Sequence, residues 1–301
     1  MYCSLIGSVR GISVKSNPLV RPFLKWAGGK RQLLPEIRKY VPKLTSKQTY
    51  YEPFIGGGAL LFELQHPKAV INDSNRELIN CYKVIRDSLD ELIEELSKDK
   101  YTNSEMYYYG MRDLDRSTKE YANLSEVEKA ARIIYLNKTC YNGLFRVNSQ
   151  GQFNVPFGRY KNPNILDNAV LRAVNKYLKR DTIELLTQDF AKAVQSAKRG
   201  DFVYFDPPYD PVSETASFTG YDVNGFNRDE QERLKEEFDA LHKRGCKVML
   251  SNSCTDFIRD LYKDDQYTII KVRATRSINS NALKRGMVDE VLVLNYEIQD
   301  K

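Results

Sequence analysis

Apolar residues recur along this chain with two spacings. From Asn75 to Lys98 they fall at Leu78, Ile79, Tyr82, Ile85, Leu89, Leu92, Ile93 and Leu96, the pattern of one face of an amphipathic helix. Ser125 to Cys140 repeats that logic, and Ser125-Glu126-Val127-Glu128 reads as a capping box. Elsewhere the apolar runs are strand-length: Tyr50 to Ile55, Ala69 to Asp73, Ile183 to Leu186, Asp201 to Phe205, Cys246 to Ser251, Tyr267 to Val272 and Glu290 to Tyr296. Ala59 to Leu64 opens a helix after three glycines, and Arg228 to Lys243 and Asp256 to Lys263 read as helices between the later strands. Alternation of this kind predicts an α/β sheet. The sheet is built from both ends of the chain, with a mostly helical insert at roughly residues 76 to 170. Between Tyr141 and Pro163 periodicity vanishes into a long, aromatic, glycine-bearing loop, and loops of that size usually have work to do.

At 301 residues, 42% hydrophobic and 29% charged, the chain has the balance of a soluble globular protein with a sizeable core. Its longest apolar stretches fall far short of a membrane span. Residues 1–17 are weakly apolar and serine-rich, with Arg10 and Lys15 after the apolar residues, so they are expected to form a flexible arm and not a signal peptide. Five cysteines without a C-x-x-C pair, and His66 and His242 in unrelated contexts, argue against a metal site or a disulfide framework and suit a reducing cytoplasm. The net charge of +6 is unevenly spread. Lys129 to Leu166 holds no acid but carries Lys129, Arg132, Lys138, Arg146, Arg159 and Lys161; Gln266 to Val288 is likewise acid-free, with Lys271, Arg273, Arg276, Lys284 and Arg285. Such clusters suit a polyanion, and they equally describe two solvated basic faces.

Three local motifs carry chemistry. Asp206-Pro207-Pro208-Tyr209 follows the apolar run Phe202-Val203-Tyr204-Phe205. Two prolines stop a strand and remove two donors, so a carboxylate, two carbonyls and a ring stand at a strand's carboxyl end, where ligands bind in open α/β sheets. A plain strand-ending turn is the competing reading. Pro53-Phe54-Ile55-Gly56-Gly57-Gly58-Ala59 joins a strand to a helix without matching the dinucleotide fingerprint. Asp73 ends the next strand, either as an acceptor for ribose hydroxyls or as a helix N-cap. Glycine turn plus acid suggests an adenosine-bearing cofactor, and no Walker-type lysine suggests a triphosphate. Upstream, Phe23-Leu24-Lys25-Trp26-Ala27-Gly28-Gly29-Lys30 sets the sole tryptophan between lysines beside a Gly-Gly turn, as a core residue or a ligand-facing one.

Taken together, Phe23 to Lys30, Glu52 to Ala59, Asp73, Asn142 to Tyr160 and Asp206 to Tyr209 resemble the S-adenosylmethionine-dependent DNA adenine methyltransferases of the alpha group, of the Dam type that methylates adenine in GATC. The resemblance runs from about Pro22 to Tyr296. It implies a Rossmann-like methyltransferase sheet (residues 18–75 and 171–301) with an inserted, mostly helical target-recognition domain (76–170). It further implies that Asp206 and the Pro207 carbonyl accept the two N–H bonds of a flipped adenine's amine, localising its lone pair, while Tyr209 stacks on the base. By the same resemblance Trp26, Lys30, Phe54, Gly56, Gly58, Asp73, Asp189, Phe190 and Asp206 contact or shape the site of S-adenosyl-L-methionine. Lys25, Tyr141, Asn142, Leu144, Arg146 and Pro156 meet double-stranded DNA, Arg146 holding guanine and Leu144 or Pro156 a thymine methyl. No metal is implied. Asp210 to Phe226 is expected to be a lid. A cytoplasmic monomer or weak dimer, bacterial or phage-encoded, with a restriction endonuclease as genetic partner, completes the expectation. The alternatives are an amino-methyltransferase of cytosine or RNA, and a catalytically inactive DNA-binding subunit.

Overall fold

Seven strands form one sheet in the order β3-β2-β1-β4-β5-β7-β6. They are β1 Tyr50–Glu52, β2 Ala69–Asn72, β3 Ile183–Leu186, β4 Phe202–Phe205, β5 Lys247–Ser253, β6 Thr268–Thr275 and β7 Met287–Leu294. Their neighbours are parallel except around β7, which runs antiparallel to both β5 and β6. The helices are α1 Leu34–Tyr40, α2 Ala59–Leu64, α3 Arg76–Asp87, α4 Leu89–Leu96, α5 Glu105–Asp113, α6 Thr118–Asn123, α7 Glu126–Thr139, α8 Asn168–Leu178, α9 Phe190–Ala193, α10 Arg228–Lys243 and α11 Asp256–Leu261. This computed structural model describes residues 16–26, 30, 33–212, 226–275 and 287–298. The expected arm therefore lies almost wholly outside the described residues, as do most of the expected lid and Arg276, Lys284 and Arg285.

Strands buried on both faces need apolar residues at every position, and β1, β2 and β4 are buried throughout. Alternation along each strand sorts the side chains into two cores. Tyr50, Ile71, Phe202, Tyr204, Met249 and Leu292 face α3, α7 and α8. Tyr51, Val203, Phe205, Val248, Leu250, Val291 and Val293 face α10 and α11, through Leu234, Phe238, Leu241 and Ile258. Strand order reverses between β1 and β4, so their carboxyl ends open the crevice where such sheets bind ligands.

The helix expected over Asn75 to Lys98 is two helices. Ser88 (φ −135°, ψ 45°) breaks it, and Asp90 and Glu91 restart α4 with acids at its positive end. The apolar spacing runs on across the break, which hid it. The capping box at Ser125 forms with both limbs closed. Strands Tyr50 to Ile55 and Asp201 to Phe205 are shorter than their apolar runs, because Pro53 and the lead into β4 leave the ladder. The boundary at 170/171 falls inside α8, whose Asn175 amide donates to the carbonyls of Ile85 and Arg86 at the end of α3 (2.7 and 3.0 Å). The helices between β2 and β3 thus share one core with a face of the sheet.

Candidate active site

The turn after β1 is shaped by two left-handed glycines, Gly56 (φ +47°) and Gly58 (φ +69°). A Cβ on Gly56 would stand 2.8 Å from Cδ1 of Trp26, and one on Gly58 2.7 Å from the Tyr82 hydroxyl. Glycine is required there by conformation and by space. The Asp73 carboxylate accepts from the N–H groups of Gly56 (3.1 Å) and Asn75 (3.0 Å). The helix cap is Asn75, which accepts from the Leu78 N–H, so Asp73 is free of that duty. Burial pushes Asp73 up to about 6 against those two hydrogen bonds. Asn72 ties the turn to its neighbour, its amide donating to the carbonyls of Pro53 (3.0 Å) and Gln188 (2.9 Å).

Asp189 and Phe190 open α9 beside this turn. Asp189 caps the helix through the Ala191 N–H and meets Arg233 of α10 with two parallel bonds of 3.0 and 2.7 Å. Arg233 holds the Asp189 carboxyl below its ordinary range. The Arg233 guanidinium also lies 4.2 Å from the Phe190 ring centre. Phe54, Phe190 and Phe226 form a three-ring wall with centroids 5.4 to 6.0 Å apart.

Asp206 to Tyr209 leave the sheet at the end of β4. Lys30 Nζ stands 2.9 Å from the Asp206 carboxylate and 4.3 Å from the centre of the Tyr209 ring. Burial pushes Asp206 up to about 6; Lys30 pulls it down, the Glu290 charge pushes it up, and Tyr209 hydrogen bonding pulls it down. The Pro208 carbonyl accepts from Gln231 of α10 (2.8 Å), Gln231 in turn accepts from Asn252 of β5 (3.0 Å), and Asn252 accepts from the Asp210 N–H (3.0 Å). Among the described residues no donor takes the Pro207 carbonyl. The Tyr209 hydroxyl donates to Glu290 of β7 (2.9 Å). Below them Glu52 accepts from the Tyr50 hydroxyl (2.7 Å), and burial pushes it up to about 8.

The loop after α7 docks on the segment before the glycine turn. Asn137 accepts from the Lys25 N–H (2.9 Å) and donates to the carbonyls of Lys25 (2.7 Å) and Gly143 (3.1 Å). Trp26 stacks on Phe145 with centroids 4.6 Å apart. Tyr141 is 51% exposed, and Asn142 (φ +57°), Arg146 and Pro156 are exposed beside it, with Leu144 half-buried. Arg146 donates through Nε and Nη2 to the Asn154 carbonyl (3.0 and 2.5 Å). Phe153, by contrast, is a core residue. The charge reading needs one correction. Arg132 is 1% exposed, bound to the carbonyls of Met111 and Arg112 (2.7 Å each) and to Asp115 (2.8 Å), so it holds the helices together and belongs to no basic surface. Lys271 pairs with Asp289 at 2.7 Å.

The sequence-expected residues therefore fall into two clusters that touch. The glycine turn, Trp26, Lys30, Asp73 and Asp206 line the crevice; Lys25, Tyr141, Asn142, Leu144, Arg146 and Pro156 lie on the docked loop and its seat. Sequence reasoning missed Asn137, Arg233, Gln231, Asn252 and Glu290. Only Glu290 left a trace, as an acid in register with Leu292 and Leu294 on the inner face of a strand.

A crevice at the strand-order reversal, edged by a glycine turn and an Asp-Pro-Pro-Tyr lip, is that of a Rossmann-like methyltransferase. The family model described as D12 class N6 adenine-specific DNA methyltransferase matches residues 26–278, and the chain belongs to that family. It is 49% identical over 277 residues to the type II methyltransferase M1.LlaDCHI of Lactococcus lactis subsp. cremoris, covering 92% of this chain and 96% of that one. Identity to the type II methyltransferase M.MjaIII of Methanocaldococcus jannaschii is 45% over 293 residues, covering 92% and 99%. Identity to the DNA adenine methylase of Escherichia coli K12 is 35% over 277 residues, covering 91% and 95%. The protein is an adenine-specific DNA methyltransferase, which decides against the cytosine, RNA and inactive readings. Among the described residues no helix is long and apolar enough to cross a membrane.

Proposed function

We propose that the protein transfers a methyl group from S-adenosyl-L-methionine to the exocyclic amine of an adenine flipped out of duplex DNA at GATC. The observation that carries the reading is the Asp206 lip. A carboxylate and the Pro207 carbonyl, which has no donor among the described residues, sit together at the switch point; the Lys30 ammonium stands 2.9 Å from Asp206 Oδ1 as an ion pair, and among the described residues that buried oxygen accepts no hydrogen bond. An adenine amine presents two N–H donors. Accepting both of its N–H bonds localises the nitrogen lone pair and stabilises the positive charge that develops there. Tyr209 supplies the stacking platform. Asp206 acts as a hydrogen-bond acceptor and positions the amine; it need not abstract a proton to start the reaction.

The crevice fits the cofactor chemically. Gly56 and Gly58 let the turn pass close against Trp26 and Tyr82, Asp73 offers carboxylate oxygens beside the turn, and Phe54 and Phe190 provide an aromatic wall. Trp26, against Gly56, and Lys30, beside Asp206, come from the segment before α1. When bound there, the cofactor supplies an electrophilic methyl group. Asp189 is assigned to the cofactor's edge through Arg233 and Phe190, since its carboxylate is already paired.

Residues 76–170 carry the DNA-reading surface on this account, and residues 18–75 with 171–301 the transfer site. Arg146 and Lys25 hold guanines, Leu144 and Pro156 meet a thymine methyl, Asn142 positions the loop, and Tyr141 fills the gap left by the flipped base. The protein is assigned to the cytoplasm as a monomer or weak dimer. The type II names of two relatives support a restriction endonuclease as genetic partner. The test is to incubate the purified protein with labelled cofactor and duplex DNA, digest to nucleosides and identify the product by mass. N6-methyladenosine in the deoxy series is expected; label in cytosine, or none, contradicts the reading.

A further inference from the structure

Glu290 is an acid inside a sheet. It sits on the reversed strand β7, paired in register with Ser253 of β5 and Val272 of β6, and is 7% exposed. Its same-face neighbours Leu292 and Leu294 are core residues. A carboxylate in such a place is costly unless hydrogen-bonded, and its partner is the Tyr209 hydroxyl at 2.9 Å. Tyr209 ends a segment that has left the sheet after two prolines. The backbone there is pinned through the Pro208 carbonyl by Gln231. The far end of the ring is pinned by Glu290, and Lys30 faces the ring plane at 4.3 Å. Gln231 thus fixes the backbone that carries the ring, Lys30 faces its plane, and the phenol tip donates to Glu290 at 2.9 Å.

We propose that Glu290 is a positioning residue for methyl transfer: it holds the Tyr209 ring in the plane on which the target base stacks. The proposal rests on the reading of Tyr209 as the stacking platform. Asp206 is faced by Lys30, Tyr209, Glu290, Tyr204 and the buried Glu52. Of these, Glu290 is the acid that reaches the site from the reversed strand. Replacing it by Gln keeps an acceptor for the phenol and removes the charge; replacing it by Ala removes both.

The experiment compares Glu290→Gln, Glu290→Ala, Tyr209→Phe, Glu290→Ala with Tyr209→Phe together, and Tyr209→Ala in the full-length protein. Each is measured for kcat and DNA KM on a one-site duplex, for fluorescence of a duplex carrying 2-aminopurine at the target, and for melting. Glu290→Ala and Tyr209→Phe should each lower kcat roughly tenfold, with a weaker fluorescence rise and little change in KM. The double variant should lose no more than the worse single, since one hydrogen bond is removed twice. Glu290→Gln should recover the fluorescence, because it keeps an acceptor for the phenol. Losses that multiply in the double variant overturn the proposal, as does a Glu290→Gln no better than Glu290→Ala. If Glu290→Ala does not fold, Tyr209→Phe and Glu290→Gln decide alone: wild-type kcat and fluorescence in Tyr209→Phe refute the positioning role. Normal methylation by Tyr209→Ala refutes the platform itself, whatever Glu290 does.

Discussion

Trp26 and Phe145 are stacked, with 4.6 Å between ring centres and 23° between planes. The Trp26 indole also lies against Gly56, where a Cβ would come within 2.8 Å of Cδ1. One ring therefore walls the cofactor turn, and its partner belongs to the loop assigned to read DNA. Occupation of either side biases the position of the pair, so the two binding steps are expected to help each other, and equally in both directions.

The Phe145→Ala variant is predicted to lose that coupling. Aromatic pairs contribute about 0.5–1.5 kcal/mol beyond their area, so the gain in cofactor affinity on adding DNA should fall by several-fold. Titration calorimetry with and without a DNA duplex measures it. An unchanged ratio of the two dissociation constants removes the stack from the coupling.

The pH profile follows from Asp206. On the proposed reading the Asp206 carboxylate is the acceptor, and burial pushes it up to about 6. Below that pH the free enzyme holds Asp206 protonated, so kcat/KM should rise with pH through about 6 and then level. Lys30 pulls the value down, so Lys30→Met should move the acid limb to higher pH as well as lowering the rate. A limb that moves to lower pH contradicts the assignment of that limb to Asp206.

Gly58 is predicted to be a stability position. It adopts φ +69°, and an added Cβ would lie 2.7 Å from the Tyr82 hydroxyl, which itself donates to the Gly56 carbonyl at 3.0 Å. Gly58→Ala should cost about 1–3 kcal/mol from left-handed strain and displacement of Tyr82. Denaturant unfolding checks this, and Tyr82→Phe combined with Gly58→Ala should recover part of the loss.

Arg146 should discriminate one base. One edge of its guanidinium, Nε and Nη2, is turned on the Asn154 carbonyl, which holds the side chain in the loop. Arg146→Ala should cost about 1–3 kcal/mol at a single position of the recognition sequence, with other positions unaffected. Competition between singly substituted duplexes measures the pattern; a uniform loss over all positions would make Arg146 a phosphate contact.

Much of this arrangement is written locally. The strand runs, the glycine turn and the Asp-Pro-Pro-Tyr lip are each contiguous, and period and proline chemistry place them without knowledge of their partners. What escaped is what depends on distant segments. Asn137 reads as one more polar residue on α7, yet it reaches Lys25, 112 residues away in sequence, and ties it to Gly143. Gln231 and Asn252 gain meaning only when α10 and β5 flank the lip. Arg132 reads as one of a run of basic residues in an acid-free stretch, because a count along the chain does not register that α3, α4 and α5 pack around α7 and enclose even its cation. The break at Ser88 left the apolar period intact, so periodicity had nothing to register.

The central claim is that Asp206 presents an adenine amine for methylation at GATC. Base-resolution mapping of methylated adenine in duplex DNA exposed to the wild-type protein, and in parallel to Asp206→Ala, tests it most directly. The account predicts N6-methyladenine confined to GATC for the wild type and none for the variant. Methylation by Asp206→Ala at the wild-type level, or wild-type methylation centred on a different sequence, contradicts it.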